Sequence, residues 1–168
     1  VSISIANIFP LKIFKLLLFG KFTYQNEEVE FKQKVSTIHN LRVEFVDWTD
    51  YDKMSLVIER IDICFDLRDR NFIYRNSLPI KIFEYMACGK PFIYSDIKPI
   101  RDEIDYEKYG FLVNPDNESE IINAIESYLS NPKLADEHSV NARKLIEENK
   151  NWESVSKKLI DLVNKLLA

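Results

Sequence analysis

Along this chain, short apolar runs alternate with stretches in which apolar residues recur every three or four positions. The runs FKLLLFG (14–20), VEFVDW (43–48), IDICFDL (61–67), PFIYS (91–95) and GFLVN (110–114) read as strands, the first of them buried. Between them the spacing predicts helices. Asn26 can cap one over 26–39, with Val29, Val35 and Ile38 toward the core. A short helix is expected over 52–60, and DRNFIYRNS (69–77) reads as a polar loop. Residues 79–88 read as a helix with Pro79 at its first position and Gly89 just past its end. Asn117 and Glu120 have capping-box spacing and open a helix over 117–129. Asn131 and Pro132 start another. A C-terminal helix over 153–168 opens near Trp152, with Val155, Leu159, Leu162, Val163, Leu166 and Leu167 on one face.

Strand and helix in alternation predict an α/β chain, a Rossmann-like, doubly wound parallel sheet formed as a single domain over 1–168. Such sheets bind ligands at the carboxyl ends of their strands. The chain has only three glycines, so it contains neither a GxGxxG fingerprint nor a P-loop. It has no internal repeat and no low-complexity linker.

Composition narrows the function classes. The 168 residues suffice for one sizeable core, and 46% hydrophobic with 30% charged residues excludes a disordered chain. A formal net charge of -4 argues against a nucleic-acid partner, though not against a local basic pocket for phosphate. No apolar run is long enough to span a bilayer. Lys12 and Lys15 interrupt the apolar first twenty residues, which read as buried strand material, with membrane contact as the other reading. Cys64 and Cys88 sit in apolar runs that suit reduced thiols and a cytoplasmic setting. His39 and His138 are far apart and have no metal-ligand neighbours at a telling spacing, so no structural zinc is expected.

Residues 76–95 hold the chemistry. The loop after strand 61–67 delivers the chain to Ser77, Leu78 and Pro79, where the next helix begins. The first N–H groups of a helix lack intrahelical partners, and its dipole puts about half a positive charge there. A diphosphate can be held at that end without a glycine-rich loop. Lys81, in the first turn, can reach the same anion. Glu84 lies about one and a half turns in, where a carboxylate can accept both hydroxyls of a ribose. Phe83, Tyr85 and Met86 read as packing residues. Yet every strand–helix unit has such a helix end, and a lone helical glutamate ordinarily faces solvent. The residues alone leave both readings open. DLRDRN (66–71) likewise reads either as metal-binding aspartates or as a solvated loop near a nucleotide base. No Ser-His-Asp or Cys-His arrangement is visible.

The string PIKIFEYMACGKPFI resembles the signature of family 4, GT-B-fold glycosyltransferases, the glycosyl transferases group 1, roughly P-x-K-x-x-E-Y-M-A-x-G-K-P. Pro79, Lys81, Glu84, Tyr85, Met86, Ala87, Gly89, Lys90 and Pro91 carry the likeness. IDICFDL resembles the strand before that site. YGFLVNPDNESEIINAIESYLSNPKL and the closing NW resemble the segments after it. Together these cover roughly residues 40–168.

The resemblance implies the C-terminal, nucleotide-sugar-binding half of a GT-B enzyme. In that family two glutamates stand eight positions apart. The ribose-binding one maps onto Glu84, and the one that contacts the donor sugar maps onto Asn76, an amide without charge. Asn76 is thus the catalytic candidate, and Ser77, Leu78, Lys81 and Glu84 are the candidates for holding the nucleotide sugar. The family's first strand–helix unit, with its glycine-containing turn and basic helix, is expected to be shortened or missing here. KFTYQNEE follows the LLLFG strand, and Lys21 has no assigned counterpart.

The implied activity is retaining transfer of a sugar from a nucleotide sugar to a saccharide or lipid-linked acceptor, of the kind found in bacterial surface polysaccharides. No metal or other cofactor is implied. The implied partner is an N-terminal, acceptor-binding half, and the chain alone is expected to be inactive. The C-terminal helix is expected to be partly exposed unless it folds back or pairs with a second copy in a homodimer. A location at the inner face of the membrane is a variant of the cytoplasmic one. The alternatives are an inert remnant that serves as a nucleotide-binding or interaction module, and a GT-B sugar-nucleotide epimerase, which these motifs do not support.

Overall fold

The computed structural model describes residues 11–20, 22, 24–46, 49–68 and 71–167. The expectations for residues 1–10, hence for a shortened first strand–helix unit, lie outside the described residues, as do Lys21, Asp69 and Arg70. The chain divides into two compact units, Val1–Met54 and Ser55–Ala168.

In the first unit, β1 (Phe14–Phe19) pairs in parallel with β2 (Leu41–Val46), from Phe14 opposite Leu41 to Phe19 opposite Val46. The connection is α1 (Gln25–Ser36). Lys15 Nζ meets Glu44 Oε2 at 2.5 Å across the strands. Four expectations change here. The N-cap of α1 is Tyr24, without a side-chain cap, and Asn26 falls inside the first turn, where Glu27 and Glu28 face the positive helix end. Val29 is exposed, and Phe31 turns inward instead, its ring 5.5 Å from Phe22 and 6.4 Å from Phe45. An aromatic ring buries more apolar area than a valine, and that rotates the helix face. β1 is half-buried rather than buried. A 3-10 turn (Tyr51–Lys53) precedes α2 (Met54–Ile58), so the helix expected over 52–60 is a tight turn followed by a shorter helix.

The second unit holds the parallel sheet β3-β4-β5: Cys64–Asp66, Phe92–Ser95 and Gly110–Val113. β3 is shorter than its apolar run because the Ile61 N–H still bonds Ile58 O, closing the end of α2. Central β4 is wholly buried along its length. Phe92 lies opposite Gly110, and a Cβ on Gly110 would sit 2.6 Å from the Phe92 ring and 2.7 Å from its carbonyl oxygen. Only glycine permits that approach of strand to strand.

Between β3 and β4 run α3 (Phe72–Asn76), where a loop was expected, and α4 (Ile80–Ala87). Pro79 is the N-cap of α4 rather than its first residue, because its ψ of 128° is extended. Gly89, at φ +61°, ends the helix in the left-handed conformation glycine favours. Next come α5 (Lys98–Glu103), unforeseen, a 3-10 turn (Tyr106–Lys108), α6 (Glu118–Ser130), α7 (Pro132–Asn149) and α8 (Trp152–Leu167). Asn117 caps α6 by accepting from the Glu120 N–H. The Glu120 carboxylate reaches past it to the Asn114 N–H at 2.7 Å. Asn131 caps α7 through the Leu134 N–H. α4 packs on α7, and α6 packs on β4 and β5. α8 buries no residue, and its Trp152 and Leu167 are among the most exposed apolar side chains. No helix among the described residues is long and apolar enough to cross a membrane.

Candidate functional site

Parallel pairing of β3 with β4 fixes the direction of α4. A helix joining two adjacent parallel strands runs antiparallel to them, so its N-terminus opens at their carboxyl end. No side chain caps that N-terminus. Its first N–H groups are therefore left for solvent or a ligand. The other end is anchored: Gly89 N–H bonds Met86 O, and the Arg143 guanidinium of α7 donates to Ala87 O.

The sequence-derived candidates gather at this opening. Asn76 is the last residue of α3, and its Nδ2 donates back to Phe72 O at 2.7 Å. Ser77 and Leu78 are exposed in the extended link, and Lys81 is exposed in the first turn of α4. Glu84 is half-buried, and its carboxylate makes no hydrogen bond or ion pair with any described residue. Buried Ile82 and Met86 pin α4 to the core, while Glu84 lies on a more open face of the helix.

A second group occupies the strand ends, where DLRDRN begins, and its pairing of Asp66 with Arg68 and Tyr94 was not foreseen. Asp66 closes β3. Arg68 grips it through Nε to Oδ1 at 2.9 Å and Nη2 to Oδ2 at 2.8 Å, and the Tyr94 hydroxyl donates to Oδ2 at 2.8 Å. The Arg68 guanidinium lies 5.1 Å from the Tyr74 ring centre and 5.8 Å from that of Tyr94. Fully buried Ser95 accepts the Arg68 N–H at 2.7 Å and donates to Arg68 O at 3.1 Å. The hydrogen bond to Asp66 pushes the Arg68 pKa up. Burial, then the bond to Asp66, pushes Tyr94 up. Burial and the Asp66 charge raise Tyr85 on α4, so α4 lies within the field of this cluster. One signal in the sequence could have found it. Asp and Arg two positions apart on extended chain project to one side.

Of the two readings of DLRDRN, Asp66 serves neither as a free ligand nor as a solvated side chain, because Arg68 and Tyr94 occupy it. Among the described residues, no group of three His, Cys, Asp or Glu could hold a metal ion. Burial pushes the Cys64 thiol up to about 12, so it stays protonated.

A model of the glycosyl transferases group 1 family matches residues 11–145, a span that includes every residue of this opening. The chain belongs to that family. Among curated proteins, none matches its sequence. Solved structures do. The sucrose-phosphate synthase of Thermosynechococcus elongatus is similar at 23% identity and a TM-score of 0.74, over 99% of this chain and 42% of that one. The C-terminal domain of a glycosyl transferase group 1 protein (LpcC) from Francisella tularensis is similar at 16% identity and 0.71, over 90% and 76%. Anabaena HepE, solved with UDP-glucose, is similar at 15% and 0.68, over 89% and 40%. These likenesses place the fold of this group 1 chain with the C-terminal domains of GT-B glycosyltransferases. The chain spans less than half the length of the synthase and of HepE.

Proposed function

We propose that this group 1 chain is the donor-binding half of a retaining glycosyltransferase, which transfers a sugar from a nucleotide sugar to a saccharide or lipid-linked acceptor, as in the building of surface polysaccharides. The observation that carries the proposal is Glu84, a half-buried carboxylate unpaired among the described residues, set behind a helix N-terminus that no side chain caps. A half-buried carboxylate with no partner among the described residues keeps both acceptor oxygens open, and a ribose offers two hydroxyl donors to fill them.

In this reading the α4 N-terminus and the exposed Ser77–Leu78 backbone hold the diphosphate, with Lys81 beside it. Their partial and full positive charges are in place before the sugar–phosphate bond breaks, so the departing diphosphate is stabilised with little reorganisation. The chemistry then needs no metal. Asn76 faces the donor sugar, and a further acceptor-binding half positions the attacking hydroxyl.

The test is calorimetry with UDP- and GDP-sugars. Glu84→Ala is expected to weaken nucleotide binding by about 1.5–3 kcal/mol, the usual range for hydrogen bonds to a charged group, while the melting temperature holds. Equal affinity in the variant removes Glu84 from the site. One observation favours a second reading, an inert nucleotide-binding module: Asn76 replaces a carboxylate, and its Nδ2 is committed to Phe72 O.

A further inference from the structure

The Arg68 guanidinium is held from several sides at the carboxyl end of β3 and β4. Asp66 holds one edge of it through two bonds, Tyr74 and Tyr94 lie close to it, and Ser95 locks its backbone from both sides. A guanidinium carries five N–H donors. Asp66 takes two, and no described residue takes the other three, which lie on Nη1 and the outer side of Nη2. The side chain is 23% exposed, so it is largely covered but not sealed from solvent.

The placement matters as much as the donors. Tyr74 belongs to α3, which ends at Asn76 and leads directly to Ser77 and the opening of α4. From these observations we propose that Arg68 is a donor-binding residue, its outer edge forming a preorganised fork for an oxyanion of the nucleotide sugar, whether a phosphate oxygen or the carboxylate of an acidic sugar. The proposal rests on the donor-site reading above and adds a residue to it.

Three physical points support the assignment. The Asp66–Arg68 pair is close to neutral overall, so the fork acts through directed N–H bonds rather than net charge. Parallel N–H donors match the oxygens of phosphate and carboxylate alike. Because Asp66, Tyr74 and Tyr94 already restrain the side chain, little rotamer entropy remains to be lost on binding. Tyr94, which donates to Asp66, acts as a positioning residue.

The experiment compares the wild-type protein with Arg68→Lys and Arg68→Ala by calorimetry, using uridine, UMP, UDP, UDP-glucose and UDP-glucuronate, with a parallel guanosine series. Lysine keeps the charge and much of the packing but loses the planar fork, so it is the informative variant if alanine unfolds the loop. Circular dichroism and melting temperature verify that each variant is folded.

Arg68→Lys is expected to weaken UDP and UDP-glucose at least tenfold and leave uridine unchanged if the fork takes a phosphate. It is expected to weaken UDP-glucuronate alone at least tenfold if the fork takes a sugar carboxylate. A folded Arg68→Lys protein that binds every compound as tightly as wild type overturns the proposal. Wild-type protein that binds no nucleotide at all overturns the donor-site reading itself, which separates the two failures.

Discussion

His138 and Tyr128 show how one residue can tie the rear of the second unit together. The Tyr128 hydroxyl lies 2.9 Å from His138 Nδ1, and the Phe111 ring lies 4.9 Å from Tyr128 and 5.7 Å from His138. Both residues are buried, and the Tyr128 hydroxyl also reaches Phe92 O at 3.4 Å, so α6, α7 and β4 meet at a small polar cluster beside the Phe111 ring of β5. Burial lowers the His138 pKa from its ordinary 6.5, opposed in part by Glu137. The folded form therefore resists the proton that the unfolded chain accepts. Stability from this residue is complete above about pH 6.5 and is lost as the pH falls below that value, until the folded form is also protonated. Thermal melts at pH 7.5 and pH 5 are expected to show a smaller acid loss for His138→Gln than for wild type. Parallel pH slopes would assign the acid sensitivity to the carboxylates. None of this was legible in the sequence, where His138 stood only as a histidine without metal-ligand neighbours. Its partner is ten residues away on another helix, and side-chain spacing along one element does not reveal it.

At the scale of elements, what was legible followed how local the determining chemistry is. The caps at Asn117 and Asn131 act within three residues, and both are found where the spacing placed them. Gly89 ends α4 for the same local reason. α3 was hidden because its apolar residues break the expected rule. Phe72 and Ile73 are exposed, and only Tyr74 turns in, against Arg68. A one-turn helix without an apolar face has no period to read. What holds it is Asn71, whose Oδ1 accepts the Tyr74 N–H at 3.0 Å. Asn71→Ala is expected to cost about 0.5–2 kcal/mol, the usual worth of an N-cap. The loss should be local, with faster hydrogen exchange over 72–77 and little change in melting temperature. Exchange rates equal to wild type there would show that Arg68 alone orders the segment. The close approach of Gly110 to Phe92 was equally out of reach, because it joins residues 18 positions apart that only strand pairing brings together.

For the whole molecule, the alternation of strand and helix predicted the parallel α/β class, and the family motif placed the candidate donor residues at one helix end. The division at Met54 was not legible, because no Gly-, Pro- or Ser-rich linker marks it. The proposed chemistry has a consequence at this scale. In that proposal the groups around α4 hold only the donor, and an acceptor held in line contributes orientation worth roughly 7–11 kcal/mol of the barrier. The chain by itself is therefore expected to bind nucleotide sugar without turning it over. Assay of the purified chain with radiolabelled UDP- and GDP-sugars and mixed lipid and saccharide acceptors checks this. Steady turnover by a monomer would mean that one chain carries both sites, and would exclude the inert-module reading as well. The anchor from Arg143 to Ala87 has an implication for biosynthesis. Its two residues are 56 positions apart. A ribosome makes α4 long before the arginine that secures its far end, so during synthesis the helix emerges with its foot untied. The C-terminal end of α4 is secured only once the chain as far as Arg143 has left the exit tunnel.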